Sequence, residues 1–399
     1  MATSFRVWLL LFLSLAAESF SFPHNAYANS LSPAPPGTSV GTSTATRPSW
    51  VDCYPKSRPF QLISWNLLAP CYAPTYRHPW SLPQHLEWPF RRDRIVETLL
   101  GNTGGTLPDI LCFQEVQVDL WESDLKAALE AAALSHGTFS SSSSGPVSYL
   151  EQLQRSSRQQ QQQPVYTGIL QKVKKKPIAN AILVRNDFAK ILKQESRSRA
   201  LILVLELPSQ HRLVLANVHL QAGVQEYHQM QRFYQISSLL NRIDHFVTQY
   251  STETNIPSVV ITGDFNMTPC NPLYHLLSTA QLPSTCPNSQ HYQNTLTSET
   301  MQLAQSIPQL PLCDAYQHCI PAQGRQKSSY TSGHVIDYLW TNTSGSTSST
   351  SGSIKIHQTW QSHPDALLDP QGMFLKGKRY PNDETPSDHL PIGAILELL

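Results

Sequence analysis

Carboxylates, amides and imidazoles recur in this chain at the ends of apolar runs. The clearest case is ITGDFNMTP at 261–269. Val259, Val260 and Ile261 read as a buried strand, and Gly263 and Pro269 stop it near Asp264. Asp264 and Asn266 then stand two residues apart at a strand end, where period-two spacing points both side chains one way if the backbone stays extended. An ionised carboxylate accepts hydrogen bonds, and an amide both donates and accepts. The pair suits a charged reacting group beside a hard metal ion. It equally suits a polar turn in which both residues bond to their own backbone.

The placement repeats along the chain. Asn66 closes the apolar run 60–65, Glu115 follows 108–113, and His219 ends 212–218. Asp337 sits between Ile336 and Tyr338, while Asp388 and His389 precede the last apolar run, 391–398. Loops at strand ends are where function gathers on a rigid scaffold. Singly, each has a plain structural reading as a turn, a salt bridge or a satisfied histidine. Asp337 is the hardest to read that way, because a strand interior buries it and an unpaired buried charge is costly. The joint recurrence points to one polar site.

The elements that must position these residues follow from pattern. Residues 60–65 and 108–113 read as strands with a helix over 88–100 between them, and 120–134 is helical by its Ala, Leu, Glu and Lys content. Residues 201–207 and 212–220 form a hairpin around PSQH at 208–211. Phe233, Ile236, Leu240, Ile243 and Val247 lie on one helical face. A short helix starts at 273–277, 282–310 reads as a loop, and 335–340, 354–360 and 391–398 read as strands. Strands alternating with helices, plus one hairpin, place the chain in the α/β class.

Composition bounds the partners. The chain has 399 residues, with 29 Lys+Arg against 28 Asp+Glu. So balanced a charge gives no global footprint for nucleic acid, and a polyanion needs a local basic patch. Lys172, Lys174, Lys175 and Lys176 supply one candidate, which also reads as a solvated hairpin tip. The cysteines, 7 in number, show no Cys-x-x-Cys pair and no framework spacing, so a zinc site is not expected. Cys112 reads as a core residue, and a bridge among Cys270, Cys286, Cys313 and Cys319 remains open if the chain is secreted.

Domain organisation is uneven. Arg6 before an apolar run ending at Ala17 reads as a signal peptide over 1–21, too short to span a bilayer. Secretory or extracellular placement follows, with no membrane span in the mature chain. Residues 22–57 form a Ser/Thr/Pro-rich disordered linker or transit-like segment. The alternative is a two-part plastid leader. The folded domain covers 58–399, with low-complexity inserts at about 135–163 and 342–353. Asn342 heads a glycosylation sequon.

In order, SWNLLA at 64–69, LCFQEV at 111–116, NVHL at 217–220, GDFN at 263–266, IDY at 336–338 and SDHLP at 387–391 look like the motif set of the endonuclease/exonuclease/phosphatase superfamily. The resemblance covers about residues 58–399. LEWPFRR at 86–92, RFYQ at 232–235, GDFNMTP at 263–269 and PLY at 272–274 are similar to its deadenylase branch, the Ccr4-, nocturnin- and angel-like enzymes. The chain departs from that branch at ANA, 179–181, where an Asp-Gly-Cys-like element is usual.

The resemblance implies a four-layer α/β sandwich, two mixed β-sheets packed face to face with helices outside. It implies a Mg²⁺-dependent phosphodiester hydrolase, with Mn²⁺ as an alternative ion. The expected activity is that of a 3′–5′ exoribonuclease on single-stranded RNA such as poly(A). A small-molecule, nucleotide or lipid phosphodiesterase or phosphatase is the alternative. Position by position, Glu115, Asn66 and Asp388 become the metal residues. Asp264 orients or deprotonates water, Asn266 holds it or a phosphate oxygen, His389 contacts the scissile phosphate with Asp337 orienting it, and His219 is a second donor. Arg92, Lys174 and Lys175 are expected to track the substrate backbone, with Tyr72, Tyr76, Trp80 and Tyr330 as stacking candidates. No leucine-rich repeats precede the domain, so docking to a large deadenylase complex is not expected, and a monomer is.

Overall fold

Apolar residues on both faces of a strand require something to cover each face. The computed structural model shows what does so. It describes residues 57–102, 107–136, 164–279, 282, 298–308, 310, 312–318, 330–331, 334–342, 352–360 and 379–399. The expected leader, nearly all of the following linker and most of both inserts lie outside these residues, as do Cys286 and Cys319.

The strands are β1 (Phe60–Asn66), β2 (Ile110–Gln117), β3 (Tyr166–Leu170), β4 (Ile178–Arg185), β5 (Lys190–Ser196), β6 (Ala200–Glu206), β7 (Arg212–His219), β8 (Ser258–Asp264), β9 (Cys313–Asp314), β10 (Asp337–Thr341), β11 (Ile354–Thr359) and β12 (Ile392–Leu398). They form two six-stranded sheets, in the orders β11-β12-β1-β2-β4-β3 and β5-β6-β7-β8-β10-β9. Each sheet has a parallel pair at its centre, β1 with β2 and β7 with β8, flanked by antiparallel neighbours. Parallel pairing needs a long crossover. Helix α1 (Trp88–Asn102) provides the first and α3 (Glu226–Tyr250) the second. Between them, a π-helical turn at Trp121–Lys126 leads into α2 (Ala127–His136).

Alternation along each strand builds the layers. Leu62, Ile110, Ile182 and Ile392 of the first sheet meet Leu203, Leu215, Val260 and Leu339 of the second in one buried cluster. Their neighbours face outward. Ile63, Trp65 and Leu111 pack on Ile95 and Leu99 of α1 and Leu125 and Leu129 of the α2 segment. Val204, Val214, Ala216 and Ile261 pack on Phe233, Ile236, Leu240 and Ile243 of α3. Each fully buried Leu or Ile contributes roughly 1.5–3 kcal/mol. The result is the expected four-layer α/β sandwich. Among the described residues, no helix is long and apolar enough to cross a membrane.

One reading from pattern is corrected. The stretch 282–310 contains a helix, Ser298–Gln305, where a loop was expected. Its hold is tertiary, since Ala304 and the following Ile307 join the cluster under α3. Strand β5 carries no strand-like apolar run. It is a sheet edge with Lys190, Lys193 and Gln194 exposed, and charge on an edge strand discourages pairing with another chain. Asn342 staples the end of β10, accepting from the Val259 N–H at 2.7 Å and donating to the Gly352 carbonyl at 2.8 Å.

Gly263 fixes the strand end that matters most. Its φ is +134°, and a Cβ there would lie 2.1 Å from the Val218 carbonyl oxygen on the neighbouring strand. Only glycine fits that approach. Gly263→Ala should therefore cost about 3 kcal/mol or more in urea unfolding. A loss below about 1 kcal/mol would show that the β7–β8 strand ends shift easily to relieve such a clash.

Candidate active site

The polar strand ends converge because the central strands are parallel and end on the same edge. Asn66, the last residue of β1, is the register partner of Gln114 in β2. His219 and Asp264 are partners on β7 and β8, and Asp264 is in turn opposite Asp337 on β10. In open α/β sheets, ligands bind beyond the carboxyl ends of the strands. The loop before β12 delivers Asp388 and His389 to the same edge. Asp337 is the first residue of its strand and not a mid-strand residue as expected, which leaves it beside the site.

Local backbone distortion aims the side chains. The β2–β4 register shifts between Phe113 and Val116, and Glu115 within that bulge has φ 55°. A bulge re-aims a side chain and is common beside active sites. Gln114 turns inward to bond Ser64 Oγ at 3.0 Å and Asn217 Oδ1 at 2.7 Å. Glu115 turns to the site, where its Oε2 accepts the Ala69 N–H at 3.2 Å. Asn266 has φ 49°, so the backbone is not extended there and the period-two reading fails. Instead the Asn266 N–H donates to Asp264 Oδ1 at 2.8 Å, and its Nδ2 donates to the Leu220 carbonyl at 3.1 Å. The turn reading and the site reading are both true of this pair.

Asp264 Oδ2 is the hub. Asn66 Nδ2 donates to it at 3.1 Å and to Glu115 Oε1 at 3.3 Å, joining the two sheets. His219 Nε2 lies 3.6 Å from Asp264 Oδ2 and 3.8 Å from Glu115 Oε1. His389 Nε2 lies 3.7 Å from Asp264 Oδ2, and its Nδ1 bonds Asp337 Oδ2 at 2.9 Å. Asn66 Oδ1 is taken by the Leu68 N–H at 3.1 Å, so the amide faces the carboxylates with its donors.

Charge here is tightly balanced. Burial alone would lower His389, but Asp337, Asp264 and Asp388 outweigh it and raise it to about 10. Burial lowers His219 to about 3, with Arg199 and His389 adding to the effect, so it is neutral. Burial raises Asp264 to about 7 against the pull of His389 and its hydrogen bonds. Burial also raises Glu115 and Asp388. Four carboxylates thus share a site answered by His389 and the buried Arg91. Ligand atoms of Asp264, Asp337 and His389 lie within 4.8 Å of one another. An oxygen-rich, over-negative donor set fits a hard divalent cation.

The expected substrate contacts are placed unevenly. The Arg92 guanidinium is occupied by Asp124 and, at 2.8 Å, by Asp93. Its neighbour Arg91 is the residue at the site. Fully buried, Arg91 donates to the Leu67 carbonyl at 3.0 Å and the Pro386 carbonyl at 3.2 Å, stapling the loops that carry Asn66 and Asp388. Helical spacing held the signal, because Arg91, Ile95 and Leu99 share the buried face. Lys174 and Lys175 are exposed in the β3–β4 turn, and it is Lys176 whose charge reaches His219. Tyr330 bridges to His389 with ring centroids 4.7 Å apart. Tyr72 is half-buried at the site mouth, Tyr76 is 77% exposed, and Trp80 bonds the Tyr380 carbonyl.

Two mixed sheets thus carry carboxylates, imidazoles and amides on one shared edge. The chain belongs to the Endonuclease/Exonuclease/phosphatase family, whose model matches residues 63–389. It is similar to human 2′,5′-phosphodiesterase 12, 26% identical over 55% of this chain and 36% of that protein. The match thus spans about a third of that relative's length. It is also similar to Carbon catabolite repressor protein 4 homolog 4 of Arabidopsis thaliana, 24% identical over 85% of this chain and 78% of that one. The crystal structure of ANGEL2, a 2′,3′-cyclic phosphatase, shares the fold with TM-score 0.60 and 19% identity, covering 86% of this chain and 97% of that one.

The His389–Asp337 pair predicts a pH signature. An unfolded histidine titrates near ~6.5. With His389 raised to about 10, the pair contributes stability that is complete below the unfolded value and lost as pH rises through 10. Metal-free protein should lose thermal stability between pH 7 and 10, and His389→Gln should flatten that limb. Equal slopes in the two proteins would show that the pair does not hold the proton.

Proposed function

We propose that this enzyme is a divalent-metal-dependent phosphodiesterase that shortens single-stranded RNA from its 3′ end, with poly(A) as the favoured substrate. The observation that carries the reading is the convergence of Asn66, His219 and His389 on Asp264 Oδ2, which draws on both sheets. Similarity to a carbon catabolite repressor protein 4 homolog over most of the chain supports the RNA-trimming branch.

The residues divide the work. Asp264 titrates near neutrality, which suits a base that takes a proton from attacking water. Protonated His389, held by Asp337, donates to a phosphoryl oxygen as negative charge develops there. Neutral His219 donates its ring N–H to the same oxygens from the other side. Asn66 keeps Glu115 and Asp264 in register, and the left-handed turn at Asn266 keeps Asp264 Oδ1 bonded, leaving Oδ2 for the reaction. Glu115 and Asp388 would hold Mg²⁺ or Mn²⁺, which would offset charge on the phosphoryl oxygens, whereas Asn66, its Oδ1 taken by the Leu68 N–H, holds the Glu115 carboxylate and is not the expected ligand.

A second reading is cleavage of a 2′,5′ linkage or of a small nucleotide. Similarity to human 2′,5′-phosphodiesterase 12 favours it, as does the ANA departure at 179–181. The leader supports entry into the secretory route, with a plastid address as the other possibility. Imaging a fusion to residues 1–57 decides between them. The catalytic unit is proposed to act as a monomer.

Purified enzyme should degrade oligo(A) with Mg²⁺ or Mn²⁺ and stop with a chelator. A panel with mixed RNA, 2′,5′-linked oligoadenylate, DNA, NADPH and phosphoinositides tests the choice of substrate. Turnover confined to a substrate other than 3′,5′-linked RNA would end the exoribonuclease reading. Glu115→Gln and Asp264→Asn should each reduce kcat by about 10²–10⁴-fold. A folded variant of either with full turnover would remove that residue from the chemistry.

A further inference from the structure

Beside the catalytic edge lies a cavity of about 290 Å³, open between the β5–β6 turn and α3. Ser196, Arg197, Ser198 and Arg199 line one side, with Gln235 and Ser238 opposite. Among the described residues, no carboxylate lines it. Glu195, which precedes Ser196 in the chain, is shared by Arg197 at 3.2 Å and Arg242 at 2.7 Å, so one negative charge answers two guanidinium groups. Arg199 has no carboxylate within ion-pair distance among the described residues.

Arg199 is also preorganised and adjoins the site. Its Nη2 donates to Gln221 Oε1. The Gln221 backbone is locked from α3: Gln235 Oε1 accepts the Gln221 N–H at 2.9 Å, and Arg232 donates to the Gln221 and Gly223 carbonyls at 2.7 and 2.9 Å. The Arg199 carbonyl accepts the His219 N–H at 2.9 Å. Leu220 lines the cavity, and its carbonyl accepts Asn266 Nδ2 at 3.1 Å. Arg199 also acts electrostatically on His219 and on the Tyr72 ring at the site mouth. A half-buried guanidinium held in one orientation by an amide, with hydroxyls behind it, is built for an anion with several acceptor oxygens.

We propose that Arg199 and the serine-lined cavity behind it form a subsite for a second phosphate group of the substrate, beside the one that is cleaved. The inference rests on the phosphodiesterase reading and sharpens it: substrates with two or more phosphates are selected over those with one. The second phosphate is either a terminal monoester or the next diester of a polynucleotide.

Three substrates separate these sources: the dinucleotide ApA, its 5′-phosphorylated form pApA, and the trinucleotide ApApA. Wild-type kcat/KM should rise at least tenfold from ApA to pApA for a terminal phosphate, or to ApApA for a backbone phosphate. Arg199→Gln should bring that ratio close to one, and Arg199→Lys, which keeps charge without the planar fork, should leave an intermediate ratio. A ratio unchanged in Arg199→Gln, or no preference in the wild type, overturns the subsite. If the wild type cleaves none of the three, the phosphodiesterase reading falls separately. Titration of metal-free protein with inorganic phosphate then decides the subsite: weaker binding in Arg199→Gln supports it, and equal binding overturns it.

Discussion

Two sheets that meet through aliphatic side chains can slide on one another at little cost, because dispersion and burial are not directional. Catalysis at their shared edge cannot tolerate that. The constraint that removes the freedom is a set of amide hydrogen bonds spanning the gap. Asn66 reaches from the end of β1 to Asp264 on the other sheet while holding Glu115 on its own. One layer deeper, Gln114 donates to Asn217 across the same gap, and Asn217 returns bonds to the Phe113 and Ala181 carbonyls at 2.8 and 2.9 Å. Buried amides without these partners would cost more than the bonds contribute. Register and the pairing of these amide donors are therefore enforced together.

The same logic explains why the catalytic edge is strained and yet ordered. Leu68, Glu115 and Asn266 all take positive φ, and Gly263 approaches Val218 more closely than any side chain allows. Such conformations persist only where the surroundings over-determine them. Here Ser387 Oγ donates to the Asn66 carbonyl at 2.6 Å and Trp65 Nε1 to the His389 carbonyl at 2.8 Å, tying the first and last motifs together across the whole chain. Arg91 adds a third tie between the same two loops.

Two histidines of one site are driven to opposite protonation states by position alone. His389 is flanked by Asp337, Asp264 and Asp388, whereas His219 faces Arg199 and His389. A charged donor and a neutral one result, with a near-neutral carboxylate between them. Pushing titratable neighbours apart in this way lets one site hold an acid and a base together.

Much of this was legible in the linear chain. Residue type and punctuation located the polar strand ends, and strands alternating with helices placed the chain in the α/β class, because those signals are local and repeat with the period of the backbone, whereas the face-to-face pairing of the sheets was implied by the family resemblance. What the chain alone could not decide were facts of distance between remote residues. Arg91 and Arg92 are equally basic neighbours in a motif, and only packing of α1 showed that the first is buried at the site while the second is held by Asp93 and Asp124. Asn266 lost its extended backbone to a turn that closes on Asp264. Strand β5 and the helix at Ser298–Gln305 carry weak local signals and exist because their neighbours cover them. Arg199 stands in no motif at all, and it gains a role only because the β5–β6 turn folds back beside His219. Local chemistry is written in sequence order, but electrostatic environment is a sum over neighbours in space, and only the tertiary structure supplies that list.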